Sequence, residues 1–376
     1  MIVNKPIIGI DFHTFDGIYQ GSRSHVLGLY KEAVALAPDL HFKFFLTDCA
    51  RLRSEHPEFC RENVDLEYMP SMPGLARLVF ALPYLRRRHR IDLLHTQYRI
   101  PFAPLGPCAC TIHDVLFEDY PEYFSKPFVW QSRLTFRLAA KRSKLLFTVS
   151  EYSRRQIAQC YGIDPDGIEV LYNGVDRTRF YPGSDGFERL SELGLQSSGY
   201  LLMVGRLEPR KNHARLIEAY SLLGPGAPPL VCVGQRDFGF DAAISAASRF
   251  GVQERVHFLE AVADDLLPVL MRHARLFVFA AVAEGFGMPV VEAFASGIPV
   301  VTSNSSSLVE VAGDAAVLVD AMSVTGIADG MKRVLADGNL SNQLRLTGLR
   351  RSQDFDWRLS AQRLVTSYRR YFGLTP

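Results

Sequence analysis

Nothing in this chain of 376 residues approaches the ~20 consecutive apolar residues that a membrane-crossing helix needs. The longest apolar runs, 78–85 and 276–283, are strand-sized or broken by proline. The first residues, MIVNKP, lack the basic start and long apolar stretch of a signal peptide and read as the approach to a first buried strand. Neither sign of charge is in excess: 42 Lys and Arg against 40 Asp and Glu leave a formal charge of +2. That balance gives no electrostatic case for a nucleic-acid partner. Six cysteines (Cys49, Cys60, Cys108, Cys110, Cys160, Cys232) are scattered, and only Cys108 and Cys110 stand close together. No second pair completes a zinc site, so reduced, structural thiols in a cytoplasmic protein are expected. Internal repeats and low-complexity tracts are missing too. So is a G-x-G-x-x-G after the first strand, which disfavours a nicotinamide enzyme.

What is present is a folded chain: 48% of residues are apolar and 22% charged. The length exceeds what one hydrophobic core usually serves, so two domains are expected. Short aliphatic runs alternate with longer helical patterns. Strands are expected at 7–11, 41–46, 92–95, 109–112 and 145–149, then at 200–204, 230–233, 256–259, 276–279, 299–302 and 316–318. Runs that are apolar at nearly every position indicate parallel strands covered on both faces, hence two doubly wound, Rossmann-like α/β domains. The stretch FYPGSDG (180–186) is too rich in Pro, Gly and Ser for helix or strand and marks the boundary. The expected division is 1–180, 181–355 and a closing helix within 356–376, which packs back toward the first domain.

Open α/β sheets bind ligands at the carboxyl ends of their strands. The strand 200–204 runs into GRLEPRKN (205–212), where Arg206 and Lys211 bracket a turn and Asn212 is placed to cap the next helix. Two cations there suit a diphosphate, Arg by forking two oxygens and Lys as a point charge. Read alone, the turn is also an ordinary basic surface loop. The strand 276–279 leads into EGFGMP (284–289) and a helix, with Pro289 in its first turn and Gly297 just past its end. Backbone N–H groups around Gly285, Phe286, Gly287 and Met288 then lie at a positive helix end. Glu284 precedes that helix and Glu292 lies about one turn inside it. Carboxylates beside an anion site make sense where hydroxyls must also be held, as on a sugar and a ribose.

Through EGFGMPVVEAFASGIPVV (284–301) the chain resembles family 4 of the retaining glycosyltransferases. VGRLEPRKN, SEYSRRQIA (150–158), YNGVD (172–176) and SSLVEVAGDAAVLVD (306–320) fall in that family's order, so the resemblance spans essentially the whole chain. It implies the GT-B fold, two Rossmann-like domains facing across a cleft, and transfer of a hexose from a nucleoside-diphosphate sugar with retention. Arg206 and Lys211 would neutralise the donor diphosphate, Glu284 would bind donor-sugar hydroxyls and Glu292 the ribose. Gly285, Phe286, Gly287 and Met288 would line sugar and phosphate through their backbone. TIHD (111–114) is similar to the HD element of bacterial mannosyl- and rhamnosyl-type members, which places His113, with Asp114, beside the reacting carbon. QGSRSH (20–25) is similar to the glycine loop beneath the donor phosphate, with Gly21 kept and its partner glycine replaced by Gln20.

HTQYRIP (95–101) and TIHD look most like mannosyltransferase segments, so GDP-mannose is the leading donor. No other cofactor is implied. Asp164-Pro165-Asp166, a D-x-D, reads as turn chemistry, so a metal-independent enzyme is expected. Two basic stretches, 86–90 and the cations Arg133, Arg137, Lys141, Arg142 and Lys144, read as solvated helix faces or as contacts to an anionic membrane. The expected partners are the sugar nucleotide and a glycan or lipid-linked acceptor. Two alternatives share the fold: a sugar-nucleotide epimerase and a non-catalytic partner subunit. Retention of Arg206, Lys211 and both glutamates argues against the latter.

Overall fold

The structure, a computed structural model, describes residues 5–17, 21–237 and 239–375. It divides into two compact units, residues 1–174 with 356–376, and residues 175–355. The first unit holds seven strands: β1 (Ile7–Asp11), β2 (His41–Leu46), β3 (Val64–Tyr68), β4 (Leu93–Gln97), β5 (Cys108–Thr111), β6 (Leu145–Thr148) and β7 (Ile168–Val170). Their order is β3-β2-β1-β4-β5-β6-β7, and every pairing is parallel. The second holds β8 (Leu201–Val204), β9 (Leu230–Val233), β10 (Val256–Leu259), β11 (Leu276–Phe279), β12 (Val300–Ser303) and β13 (Val317–Val319), ordered β10-β9-β8-β11-β12-β13 and again all parallel. Both orders are doubly wound, with a topological switch beside β1 and beside β8.

The central strands follow the expectation because their residues are buried on both faces: β4, β5, β9, β11 and β12 are buried at every position. In the first unit, Ile8, Ile10, Phe42 and Phe44 join one core cluster while Phe45, Leu94, Cys110 and Leu146 join another, so the sheet is covered on both sides. The closing helix, Trp357–Phe372, belongs to this unit and packs on the helix Gly21–Leu36. Its Tyr368 hydroxyl meets Tyr30 at 2.8 Å and His95 Nδ1 at 2.5 Å, inside the core.

The stretch 180–186 lies within the second unit and is tied down there. Phe180 is buried, Arg272 stacks over Tyr181 at 3.9 Å, and Arg272 pairs with Asp185 at 2.6 Å.

Candidate functional site

In the second unit, the chain leaving β8 makes a single 3-10 turn at Pro209–Lys211 and then enters the helix His213–Ser221. Asn212 stands at the helix start but does not cap it, contrary to the sequence expectation. Its backbone is left-handed (φ 67°), and its side-chain amide instead donates to the Ala280 and Ala321 carbonyls at 2.8 and 2.7 Å. Those bonds fasten the loop after β8 to the ends of β11 and β13.

On this loop Arg206 pairs with Asp237 at 2.6 Å. Its Nε is buried and finds no hydrogen-bond partner among the described residues. Lys211 Nζ donates to Glu284 Oε1 at 2.6 Å and lies 5.2 Å from the Phe279 ring centre. Arg210, which the sequence reading passed over, meets the same Oε1 at 3.0 Å, the Ala283 carbonyl at 2.6 Å and Glu208 at 2.6 Å. Each cation is thus matched by a carboxylate. Glu284 is buried, which by itself opposes ionisation, yet Arg210 and Lys211 outweigh burial and hold its carboxyl below the ordinary glutamate range.

The turn after β11 is fixed from the neighbouring loop. Ser306 Oγ accepts the Glu284 N–H at 2.9 Å, while the Ser307 hydroxyl donates to the carbonyls of Glu284 and Phe286. Ser306 adopts a left-handed φ of 55°, a strain that surrounding contacts must enforce. Gly287 (φ 101°) then turns the chain into the helix Met288–Ala295, and a Cβ there would come within 2.5 Å of Leu308. Phe286 is buried edge-on against Phe355 at 5.6 Å, so its side chain anchors the turn. Pro289 sits in the first helical turn and Gly297 (φ 71°) just past the end, as expected. Glu292, half-buried on this helix, is pushed up to about 7, by burial first and by Asp264, against the opposing pull of Arg179.

In the first unit, His113 follows β5 and is buried. Its Nε2 donates to Gln97 Oε1 at 2.8 Å, which leaves Nδ1 as the lone-pair nitrogen. Tyr98 stacks on its ring at 4.7 Å, and His25 meets it edge-on at 4.6 Å. Burial, helped by His25 and His95, drives His113 well below the ordinary histidine range, so its ring is neutral. His25 falls to about 4 by burial despite its bond to Asn173. Asp114 accepts the Leu116 N–H at 3.2 Å. Gly21 opens the helix Gly21–Leu36, so residues 21–25 are helix rather than loop: Arg23, His25, Val26, Leu29 and Tyr30 recur at helical spacing on its buried side. Gln20 lies outside the described residues.

Asp164 accepts the Asp166 N–H at 2.9 Å within a 3-10 turn. Among the described residues, no group of three or more His, Cys, Asp or Glu is placed to hold a metal, and all six cysteines are free thiols.

Two family profiles match this chain: "Glycosyltransferase Family 4" over residues 21–179 and "Glycosyl transferases group 1" over residues 191–350. An Escherichia coli O-antigen chain mannosyltransferase B is 31% identical over 69% of this chain and 69% of its own length. The chain belongs to the family 4 glycosyltransferases. Also similar to this glycosyltransferase is a Nocardia farcinica D-inositol 3-phosphate glycosyltransferase, 29% identical over 75% of this chain and 62% of its own. Anabaena HepE, solved in complex with UDP and glucose, shares the GT-B fold with a TM-score of 0.75 at 21% identity, covering 97% of this chain and 99% of HepE.

Sequence reasoning named Arg206, Lys211, Glu284 and Glu292 but missed Arg210, Asp237, Ser306 and Ser307. Ser306 and Ser307 open a motif that had been noticed only for its order. Arg210 stands beside Lys211, and adjacency alone does not say which side chain turns to which carboxylate.

Proposed function

We propose that this glycosyltransferase moves mannose from GDP-mannose to a hydroxyl of a glycan or lipid-linked acceptor, with retention and without a metal ion. Two observations support the donor site: the buried Nε–H of Arg206, which has no hydrogen-bond partner among the described residues, and the Lys211–Glu284 pair just ahead of the helix Met288–Ala295. A phosphate oxygen would satisfy the Arg206 donor, and the diphosphate would draw Lys211 from Glu284. Glu284 is assigned to sugar hydroxyls, Glu292 to the ribose, His113 and Asp114 to the side of the reacting carbon, and the backbone of Gly21 and of residues 285–288 to the donor. The acceptor hydroxyl attacks from the face the diphosphate leaves, so catalysis rests on orientation and on charge stabilisation at the leaving group. Mannose rests on the likeness to the O-antigen mannosyltransferase.

The first unit supports contact with an anionic membrane on the cytoplasmic side. Phe80 (71% exposed) and Tyr84 stand out from residues 74–88 beside Arg87 and Arg88, around a groove of about 680 Å³. Trp130 (74% exposed) and Leu134 stand out from the helix Lys126–Arg142 beside Arg133 and Arg137. Such aromatic and basic surfaces suit a lipid interface. Among the described residues, no helix is long and apolar enough to cross a membrane.

Thermal shift and transfer assays with GDP-mannose, UDP-glucose and other sugar nucleotides test the donor. Stabilisation by GDP-mannose and transfer that persists in excess EDTA are expected. Preference for a UDP-sugar, metal-dependent transfer, or sugar isomerisation without transfer would each overturn part of the reading. Cosedimentation with vesicles should require anionic lipid and fall with Phe80→Ser plus Trp130→Ser.

A further inference from the structure

Glu284 is held from two sides at one oxygen. Lys211 Nζ and Arg210 Nη1 both converge on Oε1, at 2.6 and 3.0 Å. The two cations are tethered differently. Lys211 has Glu284 as its ion-pair partner, whereas the Arg210 guanidinium also donates to the Ala283 carbonyl and to Glu208, each at 2.6 Å. The Arg210 backbone carbonyl accepts the Val282 N–H at 2.9 Å. Arg210 therefore pins the loop after β8 to the turn carrying Glu284 at several points, and its planar fork has little freedom to leave. The charged groups facing the Glu284 carboxylate are Arg210 and Lys211. Ser306 and Ser307 face its backbone.

Only one of these cations is available for the donor. We propose that Arg210 is a positioning residue: it holds the Glu284 carboxylate in place and supplies its opposite charge while Lys211 serves the diphosphate. This rests on the assignment of Glu284 to the transferred sugar. Without Arg210, engagement of Lys211 would leave a buried carboxylate with no cation, and burial would drive it to take up a proton.

The test uses Arg210→Gln, which removes the charge but keeps a donor for Ala283, together with Arg210→Lys and Glu284→Gln. The readouts are kcat against pH and calorimetric affinity for GDP and UDP. Arg210→Gln should lower kcat at pH 7 by about 10-fold or more and move the acid limb upward by about one pH unit, with nucleotide affinity within about 3-fold of wild type. Arg210→Lys should return the acid limb to its wild-type position and recover part of kcat. An unmoved acid limb in a folded Arg210→Gln, or loss of nucleotide affinity matching the loss of kcat, would overturn the proposal. If Arg210→Gln does not fold, Arg210→Lys decides: reduced kcat at unchanged nucleotide affinity supports it, and wild-type kcat overturns it. Full turnover in Glu284→Gln would instead sink the assignment beneath it.

Discussion

Around β4 and β5 of the first sheet the histidines have lost their charge: burial takes His95 to about 3 and His25 to about 4, and His113 falls well below its ordinary range. Nearby, the Asp11 carboxylate pairs with Arg77 at 3.2 Å and lies 2.9 Å from His13 Nδ1. At the ends of β8 and β11 in the second sheet, Arg206, Arg210 and Lys211 each meet a carboxylate within 2.6 Å. Two sheets of the same parallel topology have been given opposite chemistry by the loops at their carboxyl ends. A cluster of neutral, buried histidines offers single hydrogen bonds and ring faces but no charge. A set of matched charges can exchange its internal partners for a dianionic ligand without burying a net charge first.

The largest effect that would break this contrast is on the second sheet. Lys211→Ala or Arg206→Ala should cut turnover by about 100-fold or more, as for lost stabilisation of a leaving group. Melting temperature should hardly move for Arg206→Ala, because that side chain is 40% exposed in its ion pair. Near wild-type turnover in both variants would remove the diphosphate assignment.

Within the second sheet the two glutamates sharpen the contrast. Glu284→Gln should depress kcat by about 10- to 100-fold with a small change in GDP or UDP affinity, since a sugar contact must hold through the transition state. Glu292→Gln should mainly raise the donor KM, by about 10-fold, because a ribose contact is uniform along the reaction. Loss of nucleotide affinity in the Glu284 variant alone would show the two placements to be reversed.

Much of this was legible in the sequence, and the gaps have a physical pattern. Strands buried on both faces announce themselves as apolar runs, as β9, β11 and β12 did; the edges of the second sheet, β10 and β13, were also apolar enough to read, so all six strands there were found with ends off by a residue or so. The two strands missed, β3 (VDLEY) and β7 (IEV), are the two edges of the first sheet, where polar residues alternate with apolar ones. At the site, Pro289, Gly287 and Gly297 were readable because backbone geometry restricts residue type there. Ion-pair partners were not: Lys211 with Glu284 spans 73 positions, and Asp237 sits on a different loop from Arg206. Asn212 misled because a capping residue type stood at a capping position while its amide served two distant carbonyls.

A smaller effect concerns Glu292. Its carboxyl lies near 4.5 in the unfolded chain and at about 7 when folded, so the folded state keeps a proton that the unfolded state has released. Stability should therefore fall as pH rises from about 4.5 to about 7, and the cost should be complete above that. Glu292→Gln should flatten the fall, gaining about 2 kcal/mol at pH 8 relative to pH 5. Denaturant unfolding at the two pH values checks it. An unchanged slope would mean that Glu292 is ionised as readily as in water.

The contrast between the two sheets is tested most directly by titrating GDP and UDP calorimetrically into Lys211→Ala and His113→Ala. Both variants should lose turnover. Lys211→Ala should weaken the better-bound nucleotide by about 10- to 100-fold, the loss expected of a charge-assisted hydrogen bond to phosphate. His113→Ala should bind it within about 3-fold of wild type. Undiminished nucleotide binding by Lys211→Ala, or an equal loss in both variants, would contradict the account.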